Sequence, residues 1–230
     1  MRAVFHDFHA IEKGETLQVT GEAAHHLNVV RVRPNETILL LNGKGARLIG
    51  VIDSIQKNLV EVKVSTYETT SPQHELSLAI ANPKKDAFED ILKAAVELGI
   101  RNIYPLSSEF SQYDYIPSER VDRIIENALV QSNNAFWPVI HSQLTLKDFL
   151  TSHNDTIVFF NSKLSNDARE SQKENLQKTI LIGPEGGFSP AEVAVISAYS
   201  KTIEIHLPTP IMRAPTAVSA SVGYLLATLK

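Results

Sequence analysis

Apolar positions along the chain follow two regimes that change near Ser71-Pro72. Before that point, short stretches rich in Val, Ile and Leu (37–41, 48–52, 59–64) are separated by turn residues, the pattern of a β-rich segment. The turn Asn42-Gly43-Lys44-Gly45 suits a hairpin, because Asn and Gly accept positive φ. Between strands, Ala23, Ala24, Leu27, Val30 and Val32 predict a short helix over 22–33, stopped by Pro34-Asn35. Several short strands with one helix predict a small barrel, since closure removes exposed sheet edges.

Beyond Pro72, strands and helices alternate. Strands are predicted at 76–81, 100–106, 156–160, 179–182 and 203–207; helices are predicted at 84–98, 118–131, 190–199 and 216–229. Gly99 is well placed to end the first of these helices. Buried strands alternating with helices imply a parallel sheet covered on both faces. The fold class is therefore α/β, with one domain over 1–72 and a second over 73–230. No internal repeat or low-complexity segment is present.

Composition narrows the class. At 230 residues the chain suffices for one large domain or two small ones. Its 43% hydrophobic against 21% charged residues exclude a disordered chain, and the formal net charge of −4 leaves no basic tail. No cysteine is present, which excludes disulfide frameworks, thiolate metal sites and thiol nucleophiles. The longest apolar runs, such as 157–160, are far shorter than a membrane span, and residues 1–7 carry no apolar signal segment. The expectation is a soluble cytoplasmic protein with no membrane partner.

Charge divides unevenly between the halves. Residues 1–72 carry 8 Lys+Arg and 8 Asp+Glu, hence zero, so residues 73–230 carry the whole net charge of −4. Arg31, Arg33, Lys44 and Arg47 make a nucleic-acid face if they cluster in space; otherwise they belong to a neutral solvated surface. His25 and His26 are adjacent on the predicted helix and cannot both face one metal. They are read as packing or RNA-contact residues, and no metal site is expected.

In an open parallel sheet, ligands bind beyond the carboxyl ends of the strands. The first loop placed there is Ile182-Gly183-Pro184-Glu185-Gly186-Gly187-Phe188-Ser189-Pro190-Ala191-Glu192. Its glycines and proline form a tight turn whose backbone can approach a ligand closely. Ser189, Pro190 and Glu192 match an N-cap, a first-turn proline and a capping-box acid. A plain glycine turn that only reverses the chain is the alternative. The loop lacks the Gly-Lys-Ser/Thr of a phosphate loop and the Gly-x-Gly-x-x-Gly of a dinucleotide site. Glu185 would repel a pyrophosphate and suits a ligand with a positive charge.

The second loop is Leu207-Pro208-Thr209-Pro210-Ile211-Met212-Arg213-Ala214-Pro215-Thr216-Ala217, stiffened by its prolines. Arg213 is the only Lys or Arg between Lys201 and Lys230. A lone guanidinium in a rigid apolar loop calls for a partner, such as Glu185. A third segment, Asn161-Ser162-Lys163, carries a weaker signal. The last helix holds small residues (Ala217, Ser219, Ala220, Ser221, Gly223, Ala227) beside an apolar stripe, read first as core packing and second as a homodimer interface. Trp137 reads as core or interface, with base stacking as a lesser alternative. No nucleophile-elbow motif supports Ser/His/Asp catalysis.

These residues resemble a known family. Gly-Pro-Glu-Gly-Gly-Phe-Ser-Pro-x-Glu (183–192), followed by Ile-Met-Arg-x-x-Thr-Ala (211–217), is similar to the SPOUT methyltransferases. The closer similarity is to the bacterial enzymes that modify N3 of a uridine in small-subunit (16S) ribosomal RNA. It extends over Ala24-His25-His26-Leu27, Val30-Arg31-Val32, Asn82-Pro83-Lys84, Glu97-Leu98-Gly99, Pro105-Leu106, Ser108-Glu109 and Gln131-Ser132. The resemblance implies a PUA-like β-barrel that binds RNA, then an α/β domain with a deep trefoil knot at about 181–217. It also implies a homodimer and S-adenosylmethionine as cofactor. Carried over by motif, the cofactor contacts are Ile182, Gly183, Glu185, Gly187, Leu207, Ile211, Met212, Arg213, Thr216 and Ala217. Arg213 and Glu185 are the candidate catalytic residues, and His25, His26, Arg31 and Arg33 the candidate RNA contacts.

The chain also departs from that pattern. Phe110, Asn134 and Pro210 stand where the family usually carries arginine, and Ala214-Pro215 where it carries Thr-Glu. Three positive charges are thus absent from places expected to face RNA or the site. Two other readings stay open: methylation of another RNA position, such as a ribose 2′-hydroxyl, or a non-catalytic RNA-binding factor of the same fold.

Overall fold

A computed structural model describes residues 1–161 and 177–228; Ser162, Lys163 and Leu229 from the readings above lie outside them. The chain divides into two compact units, one of residues 1–72 with 126–137 and the other of 73–125 with 138–230. The strand-and-helix alternation does not reveal that 126–137 packs with the N-terminal unit.

The first unit holds β1 (Arg2–Phe5), β2 (Thr16–Thr20), α1 (Gly21–Val29), β3 (Thr37–Leu41), β4 (Ala46–Gln56) and β5 (Leu59–Thr69). Their ladder runs β1-β3-β4-β5-β2, with β1 parallel to β3 and the other pairs antiparallel. Helix α1 packs against β1, β2 and β5, so it touches both edge strands and bridges the open side of the curled sheet. Its buried face, Ala23, Ala24 and Leu27, joins Val4, Val19, Ile38, Leu40, Leu48, Ile52, Val60 and Val62 in one core. The expected hairpin turn is present: Asn42 Oδ1 accepts from the Lys44 and Ala46 amides at 2.8 and 2.9 Å, closing an Asx turn between β3 and β4. Trp137 packs on Phe5 with ring centroids 5.0 Å apart, and its amide donates to the Gly43 carbonyl.

Helix α1 is shorter than the predicted 22–33, and its ending explains why. Arg31 adopts φ 55°, its amide donates to the Asn28 carbonyl, and the Val32 amide donates to that of Leu27. This pair of bonds is the Schellman motif, with Val32 folded back into the core beside Leu27.

The second unit contains β6 (Leu76–Ala81), α2 (Lys85–Glu97), β7 (Asn102–Ser107), β8 (Val139–Ile140), β9 (Leu144–Thr145), α4 (Leu146–Ser152), β10 (Thr156–Phe160), β11 (Lys178–Ile182), α5 (Pro190–Ala198), β12 (Thr202–Ile205) and α6 (Ala214–Thr228). The helix between β7 and β8, α3 (Glu119–Ser132), begins in this unit and ends in the first. The sheet order among the described residues is β12-β10-β11-β6-β7-β8, with β9 also on β7 and every pairing parallel. All six residues of β6 are buried, as a central strand covered on both faces requires. Ala79, Ala81, Ile157, Phe159 and Leu181 cluster with Phe149 and Leu150 of α4 and Ile196 of α5. Helices α2 and α6 pack against each other, and α6 against β11. No helix of the described residues is long and apolar enough to cross a membrane.

Candidate active site

Strand β10 lies between β11 and β12, so the crossovers leaving β10 and β11 run in opposite directions. Such a reversal opens a crevice beyond the carboxyl ends of the strands. A cleft of about 200 Å³ sits there. One water takes roughly 30 Å³, so the space is ligand-sized and no mere packing flaw. The strand ends supply Phe160, Ile182 and Ile205; the two loops identified from sequence and the start of α6 supply most of the rest.

Of the residues expected to hold a cofactor, Ile182, Gly183, Glu185, Gly187, Leu207, Ile211, Met212 and Ala217 line this cleft. Arg213 and Thr216 do not; both are exposed. Arg213 sits immediately before α6, between the lining residues Met212 and Ala214, and its carbonyl accepts from the Ala217 amide at 2.9 Å. The partner expected for its guanidinium is not found: it makes no ion pair with Glu185 or another acid among the described residues. Water solvates the exposed charge, so the desolvation that called for a partner does not arise. Asn161, of the third loop segment read from sequence, lines the cleft too; Phe159, Phe160 and Ser221 also line it, although their sequence context reads as strand or helix core.

The first loop is built by bonds that its sequence encodes. The Gly187 amide donates to the Pro184 carbonyl at 2.8 Å, with Gly187 at φ 72°, which a side chain would oppose. A Cβ on Gly183 would lie 3.2 Å from the Gly187 backbone, so a side chain there would push the turn apart by a few tenths of an ångström. The capping box forms: Ser189 Oγ accepts from the Glu192 amide, and Glu192 Oε2 accepts from the Ser189 amide. The other oxygen of Glu192 accepts from the Glu109 amide at 2.8 Å, tying the turn after β7 to the start of α5. In that turn Phe110 lies over Gly186. Glu185 is exposed, and Oε1 accepts from the Lys84 amide at 3.3 Å. Among the described residues Glu185 is the only charged one in the cleft lining, and most of the other lining side chains are apolar. Such a lining fits a cationic ligand with a broad apolar body and opposes a phosphate.

His25, His26, Arg31 and Arg33 are all exposed, on α1 and the turn that follows it. Exposure removes packing as a role for the two histidines. Burial pushes the Glu126 carboxyl above its usual range, while the nearby His26 pulls it down. Lys44 pairs with Asp7 at 2.9 Å, and Arg47 Nη2 donates to the Asn133 carbonyl at 3.2 Å. Of the four basic residues considered as a face, these two are already engaged within their own unit.

Comparison with known proteins places this geometry. The RNA methyltransferase PUA domain matches residues 19–65. A protein of Rickettsia conorii named ribosomal RNA small subunit methyltransferase E is 28% identical over 208 residues, spanning 86% of this chain and 85% of its own length. A protein of the same name from Synechocystis is 28% identical over 232 residues, spanning 94% of this chain and 74% of its own. The crystal structure of a ribosomal RNA small subunit methyltransferase E from Neisseria gonorrhoeae, bound to S-adenosyl methionine, shares the fold with a TM-score of 0.87. Its identity is 22%, covering 99% of this chain and 98% of that one. The RNA methyltransferase domain itself matches residues 69–226. That match takes in every strand of the parallel sheet and every loop around the cleft, and on that ground the chain belongs to the RNA methyltransferase family.

Proposed function

We propose that this chain methylates N3 of a uridine in small-subunit (16S) ribosomal RNA, with S-adenosylmethionine as donor. The observation that carries the reading is the cleft itself: glycine and proline loops around a largely apolar space whose one charged lining residue among those described is an acid. When bound, S-adenosylmethionine supplies a methyl group on a positively charged sulfur. Ile182, Gly183, Gly187, Leu207, Ile211, Met212 and Ala217, which line the cleft, are the residues that would hold it. Glu185 offers its carboxylate to the positive charge. Relatives named for small-subunit ribosomal RNA support the substrate class.

Each residue role follows from a demand of the reaction. Uracil N3 lies on the pairing edge, so the target base must be unpaired to enter the site. N3 must lose its proton, and Glu185 is the carboxylate at hand to accept it. The negative charge then developing on the uracil needs a cation, and the exposed, solvated guanidinium of Arg213 is free to turn toward it. His25, His26, Arg31 and Arg33 serve the first unit as RNA contacts. The trefoil knot at 181–217, a homodimer through the second unit and a cytoplasmic location belong to the same reading.

Arg213→Ala tests the assignment. Calorimetry should find S-adenosylmethionine affinity within a few-fold of wild type, while methyl transfer falls by about 10²–10³-fold, the usual loss for one charge-stabilising donor. Full activity in the variant would remove Arg213 from the mechanism.

A further inference from the structure

Two serines of α6 behave differently, and the difference points into the cleft. A serine inside a helix can point its hydroxyl to solvent or donate it to the carbonyl four residues back. Ser219 does the second, to the Pro215 carbonyl at 3.1 Å. Thr228, further along, donates to the Leu225 carbonyl at 3.0 Å. Ser221 does neither. Its residue is 0% exposed, its Oγ is buried, and no hydrogen-bond partner for it exists among the described residues. Ser221 lines the cleft beside Ala217, one helical turn earlier.

A buried hydroxyl with no partner destabilises the fold, and alanine would fill the same place without that cost. The small side chain is explained by close helix packing; the oxygen is not. We infer that the Ser221 hydroxyl is a hydrogen-bonding group for the ligand of this cleft, meeting a polar atom of the adenosyl methyl donor. The inference rests on the S-adenosylmethionine reading and adds a contact outside the two loop motifs. It also separates the roles of neighbouring small residues on α6. Ala217 gives the ligand room, and Ser221 gives it a polar anchor.

The test compares wild type, Ser221→Ala and Ser219→Ala by titration calorimetry with S-adenosylmethionine and by thermal unfolding without it. Ser221→Ala is expected to weaken binding by about 5–30-fold, the worth of one buried hydrogen bond. Its melting temperature without ligand should equal or exceed that of wild type, because an unpaired polar group has been removed. Ser219→Ala should bind as wild type does, since its hydroxyl serves the helix backbone. Unchanged affinity in Ser221→Ala would overturn the inference while leaving the cofactor reading intact. A lower melting temperature without ligand would also overturn it, by showing that the hydroxyl already has a partner within the protein. Absence of binding by wild type would sink the cofactor reading, and the Ser221 contact with it.

Discussion

Arg31 holds a backbone conformation that glycine adopts at no steric cost. The same terminator closes α2, where Gly99 takes the left-handed position at φ 78°, and α3, where Asn133 takes it at φ 52°. Asn tolerates that region, but Arg does so only at a cost of about 1 kcal/mol. Arg31 is exposed, as His25, His26 and Arg33 are, and its charge fits the RNA contact proposed for these residues. Arg31→Gly should therefore raise unfolding stability by about 0.5–1 kcal/mol in urea titrations. In the same variant, RNA affinity should fall and its salt slope shrink by about 0.7–0.9. A more stable variant with unchanged RNA affinity would leave Arg31 without a role in binding. At this scale the sequence is only partly readable. The capping box of Ser189 and Glu192 was plain in its spacing, but the exposure of Arg213 was not. Whether a guanidinium faces water depends on where its loop ends up, which no local pattern records. Ser221 was hidden for a related reason, because a serine in a small-residue stripe looks like packing.

Elements were legible where they bury both faces. Strand β6 was recovered to the residue, as was β10, because their apolar runs between turn signals leave no other reading. β1 and β2 were missed: each is an edge strand of four or five residues whose polar positions face solvent. β8 and β9 have two residues each and α4 has seven, too short for a period to show. Helix α4 nevertheless seats a histidine cluster. His153, at its carboxyl end, is buried and shares a 2.7 Å hydrogen bond with Thr179 of β11, while its carbonyl accepts from Tyr199. Its ring stacks on Phe149 and meets the edge of Tyr104, which in turn stacks on His141 at 4.1 Å. Burial holds the His153 imidazole below its ordinary value of 6.5; Asp155 opposes the shift, and His141 and Lys201 add to it. His141 is lowered too, again by burial. The neutral rings are favoured by folding, so their contribution is complete above pH 6.5 and is lost as pH falls through that value toward the lower folded one. Urea midpoints should drop between pH 7.5 and 5.5, and His153→Gln should flatten that drop. An equal pH dependence in the variant would show that His153 does not carry it.

For the whole molecule, the parallel sheet followed from alternating strands and helices, and the cleft from glycine- and proline-rich loops placed after buried strands. Packing of residues 126–137 with the first unit was not legible, since it is a contact between segments far apart in the chain. The proposed uridine substrate was legible only through resemblance, because no periodic pattern in the sequence points to a substrate. The departures at Phe110, Asn134 and Pro210 remove charge where RNA contacts are expected. The chain must therefore rely on its remaining basic residues, and its RNA binding should depend less steeply on salt than that of relatives carrying those arginines. The most direct measurement is to incubate the full chain and S-adenosylmethionine with small ribosomal subunits that lack their own uridine methylation, then map the new methyl by mass spectrometry of nuclease fragments. The account predicts one added methyl per subunit, on N3 of a single uridine. A methyl on a ribose oxygen or another base atom, or none at all, would contradict it.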